Sequence, residues 1–224
     1  MDNQSLSQAL LSVYRKLMTR YGPQYWWTAE EAFEIMVGAI LTQSAAWLNV
    51  EKAIANLKVT GALSPEAQRH LSLSEIAALI YSSGYYNAKA LKLKSLADWL
   101  GKYYGDNLDK LFSNDICCLR RQLLSIHGIG QETADAIILY AARKPVFVID
   151  AFTRRIISRL GLAPDSNSYI AYQTLFTGNL PGDAGLFSEY HALLVCLAKD
   201  TCRKRPYCRQ CCLNSICRFY EVPE

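Results

Sequence analysis

A chain of 224 residues with 51% hydrophobic residues is long and apolar enough to fold as one or two domains with a substantial core. Its net charge of +4 is compatible with a polyanionic partner but does not require one. The first residues lack a signal-peptide pattern and no apolar run reaches transmembrane length, so we expect a cytoplasmic protein with no membrane contact. In that compartment the eight cysteines are expected to be metal ligands or buried thiols rather than disulfides.

The spacing of apolar residues predicts helices along most of the chain. The first amphipathic helix carries apolar residues from Leu6 to Leu17 and should end before Gly22. Further helices are predicted at about 30–41, 46–58, 74–82, 88–103, 113–125, 131–143, 151–160, 168–177 and 184–199. Only residues 146–149 have a strand-like composition, and one short isolated strand cannot form a sheet. The sequence therefore predicts an all-α fold.

Two glycines stand just before the helix predicted at 131–143. Gly128 and Gly130 flank Ile129, a pattern that permits a tight turn and lets the backbone approach a ligand closely. The exposed amides at the start of the following helix would then suit a phosphate. The same pattern is also typical of an ordinary turn between two helices.

Asp150 immediately precedes the helix predicted at 151–160. Taken alone, this position is typical of a helix N-cap, whose carboxylate accepts hydrogen bonds from the free amides of the first turn.

A four-cysteine run lies near the C-terminus and consists of Cys202, Cys208, Cys211 and Cys217. Four thiolates with five, two and five intervening residues predict one metal centre, and the spacing alone is compatible with zinc or an iron–sulfur cluster. Six basic residues and one acidic residue stand between Lys199 and Arg218. This charge favours a surface that faces nucleic acid over a merely solvated loop.

Five segments, taken together and in order, resemble the endonuclease III superfamily of helix-hairpin-helix DNA glycosylases. They are Ala39 to Gln43, Gly84 to Ala90, the Gly128–Gly130 turn, Asp150 and the four-cysteine run. The resemblance implies a two-domain helix-hairpin-helix fold with a C-terminal cluster loop. A helical barrel would span residues 23–144, and residues 1–22 with 145–224 would form a terminal domain.

The resemblance also implies roles for individual residues. Asp150 would be the catalytic carboxylate, stabilising positive charge on the sugar and orienting or deprotonating the attacking water. The four-cysteine run would bind a 4Fe–4S cluster, although its first interval is one residue shorter than is usual in the family. The residues implied to contact DNA are Gln43, Lys89, Gly128, Gly130, Arg203, Lys204 and Arg205.

Glu132 departs from the pattern of the bifunctional family members, which carry a lysine at this position. A carboxylate cannot form the Schiff base that a lysine forms with the sugar, so the resemblance implies a monofunctional enzyme. A negative charge near a helix N-terminus is an equally simple interpretation of Glu132.

Trp27 and Trp47 lie where the 3-methyladenine branch of the superfamily has base-stacking aromatic residues. With Glu132 they would form a base pocket, although aromatic residues are more often part of a core. We therefore expect a monomeric glycosylase that extrudes a damaged base from double-stranded DNA and hydrolyses its N-glycosidic bond. The favoured base is an alkylated purine, which is cationic. The alternatives are a mismatch or deaminated-base glycosylase and a catalytically silent lesion-binding protein.

Overall fold

A computed structural model describes residues 3–27 and 31–220. Within these residues all regular structure is helical, which confirms the predicted all-α class. The helices are α1 (Asn3–Tyr21), α2 (Ala32–Leu41), α3 (Trp47–Val59), α4 (Pro65–His70), α5 (Leu73–Leu79), α6 (Tyr86–Tyr104), α7 (Leu108–Phe112), α8 (Ile116–Leu124), α9 (Gln131–Ala136), α10 (Ala151–Leu160), α11 (Tyr169–Thr177) and α12 (Ala184–Asp200).

The chain divides into two compact units. The terminal unit comprises Met1–Trp26 with Arg143–Glu224, and the central unit comprises Trp27–Ala142.

The terminal unit is built around a cluster of aromatic side chains. The rings of Phe147 and Phe176 stack with centroids 3.7 Å apart, and Tyr190 contacts both rings edge-on. Tyr190 also donates a hydrogen bond from its hydroxyl to the carbonyl of Leu10, 2.9 Å away. This bond satisfies the buried hydroxyl and fixes α1 against α12, so the first helix folds with the C-terminal third of the chain.

The central unit is organised around α2 and α6. Helix α2 is buried along nearly its whole length, and Met36 and Ile40 are fully inaccessible. Helix α6 buries Leu93 and Leu96 and packs against α4 and α5. Helix α6 is 19 residues long, and its side chains Lys89 and Lys92 reach the turns that contain Ser83 and Gln43.

Two short helices, α4 and α7, are absent from the prediction. Each has a side-chain N-cap: Ser64 accepts from the amide of Ala67, and Asn107 accepts from the amide of Lys110. The helix predicted at 131–143 is divided, since α9 continues as a π-helical turn at Ile137–Ala141.

Residues 146–149 are buried but form no strand. Side chains satisfy part of their backbone instead: Gln173 donates to the carbonyl of Phe147, and the Tyr169 hydroxyl accepts from the amide of Ile149. An extended segment can therefore be buried without a neighbouring strand.

None of the helices within residues 3–27 and 31–220 combines the length and the apolar character needed to cross a bilayer.

Candidate active site and cysteine site

Asp150 caps α10, and its two carboxylate oxygens have different neighbours. Oδ1 accepts a hydrogen bond from the amide of Thr153 at 2.6 Å. Oδ2 faces Nε2 of His191 at 3.7 Å. The carboxylate is thus held from two sides. Its side chain is 14% exposed and therefore remains accessible.

The surroundings of Asp150 keep it ionised. Burial acts to raise the pKa of this carboxyl group, but the polar contact and charge of His191 and the Thr153 amide outweigh burial. The net effect lowers the pKa of Asp150 below its ordinary value of 3.8. An anionic Asp150 at neutral pH can stabilise a developing positive charge or accept a proton.

His191 was not among the residues selected from the sequence. In the structure it is 7% exposed and its ring stacks on Trp26, with centroids 5.5 Å apart and 23° between the planes. No sequence motif signals this contact, because Asp150 and His191 lie on different helices far apart in the chain.

The hairpin connects α8 and α9 and is anchored by Ile129, which is 5% exposed. Gly128 has a φ of +82°, a conformation that favours glycine, whereas Gly130 has an ordinary φ of −92°. Gly130 and Glu132 are exposed at the start of α9, where a negative charge also suits the helix N-terminus.

Gln43 contacts the hairpin directly. Its amide Nε2 donates to the carbonyl of Gly128 at 3.1 Å and to Oγ1 of Thr133 at 2.9 Å. Its Oε1 accepts from Nζ of Lys92 at 2.5 Å. The structure thus brings the predicted Gln43 and the predicted hairpin into one hydrogen-bonded group in the central unit.

Lys89 is not a surface residue, and its predicted contact with DNA is wrong. The side chain is 1% exposed, and Nζ donates to the carbonyls of Leu41 at 2.8 Å and Ser83 at 2.7 Å. Burial, with the nearby charge of Lys92, lowers the pKa of Lys89 to about 8. A buried ammonium group that serves two carbonyls has a structural role, because it cannot reach a phosphate.

Trp27 and Trp47 lie together in the central unit, but they do not form a sandwich. Their ring centroids are 5.7 Å apart with planes at 80°, and Trp27 also packs against Tyr140 at 5.1 Å. The indole nitrogen of Trp47 donates to Oε1 of Glu51 at 2.7 Å. Two perpendicular rings in contact leave no space for a base between parallel faces. The two indoles instead form an edge-to-face pair, which we call the aromatic corner.

The four-cysteine run lines one pocket in the terminal unit, and Cys212 is not among its lining residues. Burial and the charges of Cys217, Cys211 and Cys202 raise the pKa of the Cys208 thiol. Negative charges on neighbouring sulfurs therefore disfavour one another, and a positively charged group bound between the sulfurs would offset this effect.

The spacing of the sulfurs also bears on the kind of group that fits. A single zinc ion would hold its thiolate ligands within roughly 4 Å of each other, given Zn–S bonds of about 2.3 Å. Within residues 3–27 and 31–220, no three Cys, His, Asp or Glu side chains converge closely enough to bind one ion. All four thiols line one pocket without converging on a single point, so they could hold a group larger than one ion, such as an iron–sulfur cluster.

Helix α10 also anchors the cysteine loop. Arg159 donates to Sγ of Cys202 at 3.3 Å and to the carbonyls of Arg203 at 2.7 Å and Lys204 at 3.1 Å. With the loop backbone held in this way, the side chains of Arg203, Lys204 and Arg205 are exposed.

Comparison with known proteins identifies relatives across most of the chain. The family model for HhH-GPD superfamily base excision DNA repair proteins matches residues 37–181. A Methanocaldococcus jannaschii protein assigned to the DNA repair glycosylases is 40% identical, covering 94% of this chain and 96% of that protein. Endonuclease III of Sulfolobus acidocaldarius is 30% identical over 84% of this chain and 82% of the relative.

Two further matches concern proteins with stated substrates. A thymine/uracil-DNA glycosylase of Pyrobaculum aerophilum is 26% identical, covering 100% of this chain and 95% of the relative. The crystal structure of H. pylori 3-methyladenine DNA glycosylase bound to 1,N6-ethenoadenine matches with a TM-score of 0.73 and 26% identity. That match covers 89% of this chain and 98% of the other.

Proposed function

Because the chain belongs to the HhH-GPD superfamily of base excision DNA repair proteins, we propose that it is a monofunctional DNA glycosylase that removes alkylated purines. Its partner is double-stranded DNA from which the damaged base is extruded, and the protein acts as a monomer in the cytoplasm. The observation that carries the catalytic part of this proposal is the two-sided fixation of an ionised Asp150.

Asp150 supplies the carboxylate that this reaction needs. As the bond between C1′ and the base nitrogen breaks, the base leaves with the electron pair and the sugar becomes positively charged. The fixed anion of Asp150 stabilises that charge. The oxygen of a water molecule bonds to C1′, and Asp150 accepts the proton that the water loses. A cationic alkylated purine departs as a neutral base.

Glu132 supports a mechanism that uses water and no covalent intermediate. A carboxylate at the start of α9 cannot form a Schiff base with the sugar, and the buried Lys89 is not available as a substitute. The enzyme would therefore release the base and leave an intact abasic site.

The aromatic corner of Trp27 and Trp47 supports a cationic base as substrate. An electron-rich indole face attracts a positively charged ring by about 0.5–2 kcal/mol, depending on how far the contact is desolvated. The H. pylori relative, which is a 3-methyladenine DNA glycosylase, points to the same class of substrate.

The contacts with the DNA backbone come from two regions. Gly128 and Gly130 present hairpin amides that would bind phosphate, and Gln43, held on the hairpin, would fill the space left by the extruded base. The exposed Arg203, Lys204 and Arg205 add positive charge from the cysteine loop.

The four-cysteine run would hold a 4Fe–4S cluster. When bound, the cluster supplies iron–thiolate bonds that cross-link the loop, which is a structural contribution. The chain's own contribution is to hold that loop through Arg159, so that the basic side chains remain directed outwards.

A panel of duplexes with single lesions tests the proposal. Each duplex is incubated with the protein and treated with alkali, which cleaves the strand at abasic sites. We expect excision of 3-methyladenine or 7-methylguanine and no strand cleavage before alkali. Removal of uracil or thymine from mispairs with alkylated purines left intact would contradict the substrate assignment.

The relation to the Pyrobaculum aerophilum protein favours a second candidate, a mismatch or deaminated-base glycosylase. The same panel separates the two candidates. Binding of a lesion without any excision would instead identify a catalytically silent lesion-binding protein.

A further inference from the structure

We infer that His191 is a positioning residue for Asp150, acting on the carboxylate oxygen that does not take part in the helix cap. The inference rests on the proposed function, since it assigns a role toward the carboxylate that carries the reaction. The Thr153 amide holds only Oδ1, and Nε2 of His191 faces Oδ2 at 3.7 Å. This distance is longer than that of a hydrogen bond, so the contact acts through electrostatics.

The position of His191 is itself tightly determined. The residue lies in α12, is 7% exposed and stacks on Trp26. A ring that is stacked on one face in a buried setting has few alternative rotamers, so the direction of its nitrogens is fixed.

The segment before Trp26 is tied to α12 on both sides of His191. The amide of Gln24 donates to Oε1 of Glu189 at 2.5 Å, and its side-chain carbonyl accepts from the Cys196 thiol at 3.0 Å. Tyr25 has a φ of +46°, in the left-handed region that residues other than glycine rarely adopt. A strained turn anchored at two points holds Trp26 against the histidine ring.

Two contacts therefore define the plane of the Asp150 carboxylate. The hydrogen bond from the Thr153 amide alone tolerates a range of carboxylate tilts. A donor on Nε2 facing Oδ2 favours one orientation, which determines where the anion points when the sugar becomes positively charged.

A pair of variants separates this role from simple packing. His191→Gln places an amide N–H close to the position of Nε2 but loses the ring. His191→Phe keeps a ring against Trp26 but has no N–H. Both are measured by single-turnover excision on a duplex that the wild type processes, across the pH range, with circular dichroism and affinity for undamaged duplex as controls.

If His191 positions Asp150, His191→Phe should lose about ten- to a hundredfold in rate, the range typical of groups that orient a reacting side chain or ligand. The acid limb of the pH–rate profile of His191→Phe should also move to higher pH, because removing His191 takes away the main influence that lowers the pKa of Asp150. His191→Gln should retain most of the wild-type rate. If His191→Phe does not fold, His191→Leu removes the donor in a smaller volume and should show the same loss.

The opposite order overturns the inference: an active phenylalanine or leucine variant and an inactive glutamine variant would mean that packing alone is required. Wild-type rates and pH profiles in both variants would overturn it as well. Asp150→Asn, measured alongside, separates this failure from failure of the proposed function. Full activity of Asp150→Asn would remove the catalytic role of Asp150 itself.

Discussion

The side chain of Lys92 covers Gly128 so closely that a Cβ added to this glycine would lie 2.2 Å from Cγ of the lysine. The same glycine has a positive φ, so both backbone and packing require it. Gly130 has neither constraint, because its φ is negative and no atom lies within 4 Å of a Cβ placed there. The two hairpin glycines are thus not equivalent.

Gly128→Ala should destabilise the protein and weaken duplex binding, whereas Gly130→Ala should remain close to wild type in stability. The left-handed conformation alone costs an alanine about 1–2 kcal/mol, and Lys92 must also move away from Gln43. Urea unfolding and duplex affinity measure the two effects. Equal losses in both variants would mean that the hairpin needs small residues for contact with DNA rather than for its own conformation.

Asp150→Asn should keep duplex binding and lose about a hundred- to thousandfold in base excision, as expected when one preorganised electrostatic group is removed. The asparagine oxygen can still accept from the Thr153 amide, so α10 retains its cap. Single-turnover excision with saturating protein measures the chemical step. An undiminished rate in the folded variant would reduce Asp150 to a helix cap.

The lowered pKa of Asp150 predicts a specific dependence of stability on pH. In the unfolded chain this carboxyl group titrates near its ordinary value of 3.8, and in the folded protein it titrates lower. Ionised Asp150 therefore contributes stability above the ordinary value, and the contribution is lost as the pH falls through the lowered pKa. Urea unfolding of the wild type and Asp150→Asn between pH 7 and 3 measures it, and a constant difference between the two would contradict the shift.

Borohydride should not trap a covalent complex between the protein and a lesion duplex that it processes. Trapping requires a Schiff base between an amine and the sugar, and position 132 carries a carboxylate. A bifunctional endonuclease III treated in parallel provides the positive control. Efficient trapping would point to an accessible lysine such as Lys144, since Lys89 is buried.

Cys208→Ser should lose iron and much of the soluble folded protein, because ligation and folding of the loop are coupled. Cys212→Ser is the matched control: it lies in the same loop but does not line the pocket, so it should keep both iron and visible absorbance. Metal analysis of anaerobically purified protein gives the readout. One zinc and no iron in the wild type would contradict the cluster assignment.

The sequence predicted the helical class because amphipathic periodicity is a local property, and most helices of the chain are long enough to display it. It did not predict α4 and α7, which are too short to develop a period. Their start signals were nevertheless present, since Ser64 precedes a proline and Asn107 is a strong N-cap residue.

Contacts between residues that are distant in the chain limited the prediction of the site. Asp150 was found because it is both a cap and a family motif, whereas its neighbour His191 depends on how α10 and α12 pack. Lys89 was misassigned because a lysine is normally solvated, and only the tertiary structure reveals the two carbonyls that hold it inside. The perpendicular arrangement of Trp27 and Trp47 is likewise a matter of packing.

The interior position of Lys89 has a consequence for the dynamics of the central unit. Its ammonium group joins the carbonyl of Leu41, at the end of α2, to that of Ser83, in the turn that precedes α6. If the chain unfolds locally at Leu41 or at Ser83, one of the two hydrogen bonds of the buried ammonium group is broken. Local unfolding at one of these residues therefore also weakens the support of the other. The amide protons near these two ends should therefore exchange with solvent deuterium as one cooperative unit, although about a third of the length of the central unit separates them in sequence.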